Sequence, residues 1–254
     1  MDDSETVNWI TANTKPCPRC GKLVEKNGGC NLMTCRCGQH FCWLCGSATG
    51  YDHTYHTIAN HECGRWKDDL DKSIGEAAAS HKRYMHYFTR WNAHRDSLKK
   101  DSQNEEATLT FLKGLCDSMH ERVYEYNALT MAVKVLKMAR RVLSNSYAFA
   151  FFLCGNDWYS NEVQPEQISL NQGLFEDMQQ QFEAEVERLS GYLSTMELPA
   201  NTTKEMHLMN VLNCSRATKK RMQNFYEAIN SGLLGQLEQS VVSIADFMPP
   251  NLVI

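Results

Sequence analysis

The sequence predicts a mainly α protein in which a small, metal-stapled module with short hairpins precedes an α-helical bundle. Two observations carry this expectation. Eight of the eleven cysteines lie between Cys17 and Cys63, at spacings that suit metal knuckles. From Trp66 onward the cysteines thin out, and apolar residues recur at steps of three and four, the period of an amphipathic helix. The 254 residues are 43% hydrophobic and 22% charged, enough material for one large domain or two modest ones.

The chain opens on "MDDSETVNWITANT", which is acidic and lacks the basic-then-apolar order of a secretory signal. The longest apolar run, "YAFAFFLC" at 147–154, is too short to span a bilayer. A reducing compartment follows, the cytoplasm or the nucleus, where clustered cysteines bind metal more readily than they pair as disulfides. The formal net charge of −4 and the lack of a basic stripe argue against nucleic acid or an anionic membrane as partner.

Residues 17–64 form the expected zinc module. In "CPRC" and "CWLC" the pairs Cys17/Cys20 and Cys42/Cys45 each reach one ion from a tight turn, and the segment holds enough ligands for two ions. "KLVEK" and "NLMTC" are the candidate hairpin strands between knuckles. A segment of about fifty residues buries little core, so metal supplies much of its folding free energy. Spacing alone leaves the role of Cys30 open. Eight cysteines fill two four-sulfur sites; if instead one of His53, His56 and His61 takes the eighth place, Cys30 is left as a thiol.

Residues 65–245 form the expected bundle. The stripe Trp66, Leu70, Ile74, Ala77, His81, Tyr84, Phe88, Trp91, Arg95 and Leu98 predicts one long helix. Leu109, Leu112, Cys116, Met119 and Val123 share a face, as do Ala128, Met131, Val135, Met138 and Val142, the latter helix running on through "YAFAFFLC" to stop at Gly155. A fourth pattern carries Leu170, Leu174, Met178, Phe182, Val186, Leu189 and Leu193, broken by Pro199 and "NTT". A fifth runs from about Lys204 and includes Met206, Met209, Phe225 and Ile229. These Met and aromatic stripes read as core packing rather than a cofactor site, and Cys116, Cys154 and Cys214 as small buried residues. The apolar end "FMPPNLVI" reads as a docked tail or a truncation scar.

"CPRC", "EKNGGCNLMTC" and "HFCWLC", with the following "GYDHTYHTIANHEC", resemble the catalytic second RING-type domain of RING-between-RING ubiquitin ligases. "RRVLSNSYAFAFFL" and "VERLSGYL" resemble the helical domain of the Ariadne subfamily, most like its plant members. Residues 1–16 resemble the end of the helical linker that leads from the family's in-between domain. The resemblance implies one zinc ion on Cys17, Cys20, Cys35 and Cys37, and a second on Cys42, Cys45, His53 and Cys63, with His61 as the alternative histidine. It also implies that Cys30 is no ligand but accepts ubiquitin from a conjugating enzyme as a thioester and passes it to a substrate amine. Family members carry a first RING ahead of this module to recruit that enzyme; without it, charging of Cys30 is expected to be weak or to depend on another protein.

That role is chemically reasonable. Gly28 and Gly29 clear side chains from the line of attack, and the thiolate is the reactive form. The sequence departs from many relatives in two places: Leu32 stands where they have His, and His40 where they have Glu just before Phe-Cys-Trp. His40 is therefore the expected base for discharge onto an amine. The helical half is implied to shield the catalytic cysteine until neddylated cullin complexes release it. A catalytically idle regulator that binds cullin complexes or ubiquitin machinery is the alternative, favoured by Leu32.

Overall fold

The metal knuckles of the N-terminal module each end on a glycine whose backbone an L side chain rarely adopts. In the computed structural model, which describes residues 7, 9–11, 13–26, 28–50, 62–66, 76–118, 123–153, 165–198 and 201–230, Gly21, Gly38 and Gly46 follow Cys20, Cys37 and Cys45 with φ of 69°, 84° and 77°. The left-handed turn lets the chain double back, so that Gly21 N–H reaches the Cys17 carbonyl at 2.9 Å and Gly46 N–H the Cys42 carbonyl at 2.8 Å. The turns connect short antiparallel strands. β1 (Thr14–Pro16) pairs with β2 (Leu23–Glu25), and β3 (Leu32–Thr34), β4 (His40–Cys42) and β5 (Ala48–Thr49) form a second sheet in that order. Leu32 lies opposite Cys42, and Thr34 opposite His40. The apolar core of this module is Cys17, Met33, Cys35 and Phe41, with Val24, Cys37 and Trp43 against it. So small a core leaves most of the stabilisation to metal. Ahead of it, residues 7, 9–11 and 13 have helical backbone.

A 3-10 turn, Glu62–Gly64, is followed among the described residues by five helices: α1 (Glu76–Gln103), α2 (Glu105–Ser118), α3 (Val123–Leu153), α4 (Pro165–Ser194) and α5 (Lys204–Ala228). α3 is the centre. It packs against α1, α2, α4 and α5: Leu129, Ala132, Leu136, Ala139, Leu143, Tyr147 and Ala150 form one buried stripe, and Val133 and Val135 widen it on either side. It runs through "YAFAFFL" as the sequence predicts; Gly155, its expected stop, lies outside the described residues. α5 starts where "NTT" broke the pattern, with Thr203 as N-cap accepting from the Met206 N–H at 3.2 Å. None of the described helices is long and apolar enough to cross a membrane.

The first helix corrects the sequence reading in two ways. Trp66 lies before α1, off any helix, with its ring edge-on to His86 at 5.2 Å; Leu70 and Ile74 of the predicted stripe lie outside the described residues. The stripe itself is not the buried face: Tyr84 and Phe88 are 47% and 40% exposed, stacked on each other at 5.5 Å. The buried line of α1 is Tyr87, His94 and Ser97. Polar residues fill it because their partners come from other elements, and apolar periodicity cannot register them. Similarly, Met131, Leu170, Leu174, Met206 and Met209 are exposed, while α5 buries Leu208, Val211, Cys214, Met222 and Phe225 instead. Met119, Cys154, Pro199 and the "FMPPNLVI" tail lie outside the described residues.

Phe182 of α4 is fully buried and stacks on Phe225 of α5 at 5.7 Å. Phe182→Ala is expected to lower unfolding free energy by about 3–5 kcal/mol, read as a shift of the bundle's denaturation midpoint by circular dichroism.

Candidate active site

The knuckles converge in two sulfur clusters. Cys17, Cys20, Cys35 and Cys37 place their sulfurs within 4.8 Å of one another, as do Cys42, Cys45 and Cys63. The Cys17–Cys37, Cys20–Cys35 and Cys42–Cys63 separations are 3.7, 3.6 and 3.9 Å. A tetrahedral zinc with 2.3 Å bonds to sulfur has edges of about 3.8 Å, whereas a disulfide would need about 2.05 Å. The donor set and the spacing thus suit zinc. The first cluster is complete in sulfur; the second has three, and the histidines considered for its fourth place, His53 and His61, lie outside the described residues.

Cys30 belongs to neither cluster among the described residues. It sits between the Gly28–Gly29 pair and β3, buried against α4, where its Sγ is 3.9 Å from the Glu187 carbonyl and receives the Leu32 N–H at 3.3 Å. Burial, and then the Glu187 carboxylate, push its thiol well above the usual range. In this arrangement the sulfur is protonated and covered.

What covers it is a polar clamp from the bundle. Arg140 of α3 has no exposed surface. Its Nη2 donates to the Gly29 carbonyl at 3.0 Å, its Nη1 to Glu187, and its Nε to Asp101 Oδ2 at 3.2 Å. Glu187 of α4 in turn accepts from the Asn31 N–H at 2.6 Å and from Asn31 Nδ2 at 2.8 Å. Burial works against ionisation of Glu187, but Arg140, with His94 and Lys26, outweighs it and holds the carboxyl down at about 2. Lys26, 3% exposed, bonds Asn31 Oδ1 and, across the modules, Ser97 Oγ, both at 2.7 Å. Burial lowers its pKa to about 8 against the pull of Glu187. Lys100 Nζ adds a bond to the Lys26 carbonyl. A Cβ on Gly29 would run into the Asp101 carboxylate, so the loop backbone fits α1 only as glycine. The second sulfur cluster is held as well: Arg90 Nε donates to the Cys63 carbonyl at 2.8 Å, and Arg65 Nε to Gln180 Oε1 at 2.9 Å.

The structure does not bring His40 to Cys30. His40 Nδ1 is 2.9 Å from Thr34 Oγ1, at the far end of the β3–β4 pair. Asn31 is opposite Trp43, whose N–H it accepts at 2.7 Å, so Cys30 and His40 are separated by the length of the strand, about 13 Å. The residues that do surround Cys30, namely Lys26, Asn31, Arg140 and Glu187, were missed in the sequence. The available signal was a charge on a buried helical stripe: Arg140 between Leu136 and Leu143, and Glu187 beside Val186 and Leu189.

Comparison with known proteins gives a family for both modules. Residues 82–250 match the family model of the Ariadne domain, and residues 3–57 that of the IBR domain, a half RING-finger domain. The probable E3 ubiquitin-protein ligase ARI2 of Arabidopsis thaliana is 43% identical over 248 residues, which cover 97% of this chain and 42% of that relative. The E3 ubiquitin-protein ligase dbl4 of Schizosaccharomyces pombe is 37% identical over 75% of this chain and 35% of its own length, and the E3 ubiquitin-protein ligase ARIH2 of Mus musculus 35% identical over 74% and 36%. The chain therefore spans less than half the length of these curated relatives. With two cysteine clusters, a further cysteine on a Gly-Gly loop and helices packed over it, the chain belongs to the Ariadne subfamily of RING-between-RING E3 ubiquitin ligases.

Proposed function

We propose that this chain is the acyl-accepting part of a RING-between-RING ubiquitin ligase, in a closed state. Cys30 takes ubiquitin from a conjugating enzyme as a thioester and transfers it to a substrate amine. The observation that carries this is the placement of one cysteine, on a glycine loop, outside both sulfur clusters yet covered by a dedicated ion-pair network. Two zinc ions hold the catalytic module, one on Cys17, Cys20, Cys35 and Cys37, the other on Cys42, Cys45, Cys63 and His53. Residues 17–64 form this module, residues 65–245 the restraining domain. The partners are ubiquitin, a conjugating enzyme and, for release, a neddylated cullin complex of the kind the family resemblance implies. In the closed state burial keeps the Cys30 thiol protonated. Release would return it to water, where a few per cent is thiolate at neutral pH.

A second reading is a catalytically idle regulator. One observation favours it: Leu32 lacks a titratable group, and His40 is spent on Thr34 at the other end of the strand. Incubation with a ubiquitin-charged conjugating enzyme separates the two. A reductant-sensitive ubiquitin adduct that disappears in Cys30→Ala is expected; cullin binding with no adduct would support the idle regulator. Native mass spectrometry is expected to give two zinc ions per chain, with Cys17→Ser losing one and a chelator melting the strand module before the bundle.

Release is testable without ubiquitin. Removing one partner of a buried ion pair costs about 3–5 kcal/mol, so Glu187→Gln should open the clamp and raise the rate of iodoacetamide alkylation at Cys30 by about 10²-fold or more. The modified peptide is followed by mass spectrometry; an unchanged rate would mean that Glu187 does not hold the closed state.

A further inference from the structure

Glu187 meets the nucleophile loop through a specific pair of donors. The Asn31 N–H belongs to the residue immediately after Cys30, and it donates to Glu187 Oε2 at 2.6 Å while Asn31 Nδ2 donates to Oε1 at 2.8 Å. In the acyl-transfer sites of α/β-hydrolases, the backbone N–H one residue past the nucleophile is one of the donors that hold negative charge on the reacting carbonyl oxygen. The side-chain amide is oriented for the same task. Lys26 Nζ has no acceptor capacity and donates to Asn31 Oδ1 at 2.7 Å, which fixes the amide so that Nδ2 faces the anion. Lys26 and Asn31 both sit in the cysteine-rich module, so they stay together when the helices withdraw. The other partner of Lys26, Ser97, is on α1 and leaves with the bundle.

We propose that Asn31 is the oxyanion donor of this ligase, that Lys26 is its positioning residue, and that Glu187 closes the site by lodging a carboxylate in the notch that the reaction's oxyanion must occupy. The proposal rests on the ligase reading of Cys30. In charging, the Cys30 thiol gives its proton to solvent, and the thiolate attacks the carbonyl carbon of the ubiquitin thioester. A carbon–sulfur bond to Cys30 forms as the C=O π pair moves onto oxygen, where the Asn31 N–H and Nδ2 meet it. The pair then returns, the bond to the conjugating enzyme's sulfur breaks, and that sulfur leaves as thiolate. In discharge a neutral amine attacks the Cys30 thioester, the same oxygen carries the charge, the amine proton passes to solvent, and the Cys30 thiolate leaves. Autoinhibition and catalysis therefore compete for one pair of N–H groups. Closure displaces a transition-state contact as well as blocking a path.

The test compares two reagents on the full-length chain. The mercaptoethanesulfonate thioester of ubiquitin acylates a thiol through an oxyanion and needs no conjugating enzyme. Iodoacetamide alkylates by displacement at saturated carbon, with no oxyanion. Opening of the clamp and thiolate content enter both rates, so the ratio of acylation to alkylation at Cys30 isolates the donor. Asn31→Ala is expected to lower that ratio about 10²-fold, the usual loss for one oxyanion donor. Lys26→Met should lower it about tenfold, as for one lost hydrogen bond, and Lys26→Arg should restore it. Should Asn31→Ala fail to fold, as judged by zinc content, the near-isosteric Asn31→Asp replaces it; this carboxylate cannot donate, and the ratio should fall at least as far. A ratio unmoved by Asn31→Ala or Asn31→Asp would overturn the oxyanion assignment and leave Cys30 as the acceptor. A Cys30 that alkylates but takes no ubiquitin, in the parent and in Glu187→Gln alike, would overturn the ligase reading and this proposal with it.

Discussion

A guanidinium with no surface in water, Arg140, stands in the middle of the central helix and holds a carbonyl of a different module. Burying that charge is tolerable only if anions are brought to it, and two are: Glu187 from α4 and Asp101 from α1. The fold can be understood from this requirement. α1 and α4 must flank α3 at the level of Arg140, and the loop carrying Gly29 must arrive with its carbonyl pointing inward. Once these groups meet, Cys30 is left only 9% exposed. The steric and the electrostatic sides of its protection thus have one origin.

The choice of polar groups for this junction has a thermodynamic sense. The bundle is held by a continuous apolar cluster from Tyr87 to Phe225, and the strand module by its thiolate knuckles. Between them the contacts described are largely hydrogen bonds made by charged side chains: Arg140, Glu187, Lys26, Lys100 and Arg90. Such groups can be rehydrated when the surfaces part, whereas an apolar interface of equal size would oppose separation throughout. Each half keeps its own source of stability, so parting the junction need not unfold either one. This fits a contact meant to be broken.

How much of this was legible in the sequence depends on the range of each interaction. The knuckles were legible because ligand pairs two residues apart and a following glycine are local facts. Helix α3 and its continuation through "YAFAFFL" were legible because the apolar period is long and unbroken. The buried face of α1 was not. Tyr84 and Phe88 look like core and are exposed, while His94, Ser97 and Asp101 look like surface and are covered; Ser97 is buried against Lys26, 71 residues away. His40 has the chemistry of a base and lies near Cys30 in sequence, but hairpin register, which puts it opposite Thr34, governs nearness in space. Arg140 and Glu187 carried a faint signal, as charges set among buried apolar neighbours, whose meaning depends on contacts 111 and 156 residues distant.

The second of the two glycines before Cys30 has a consequence of its own. Its hydrogen faces the Asp101 carboxylate with no room for a methyl group, and Asp101 cannot retreat without abandoning Arg140. The missing side chain at Gly29 therefore serves the resting form as well as the line of approach to Cys30, and the bulk tolerated at this single site measures how tightly the chain is bolted shut.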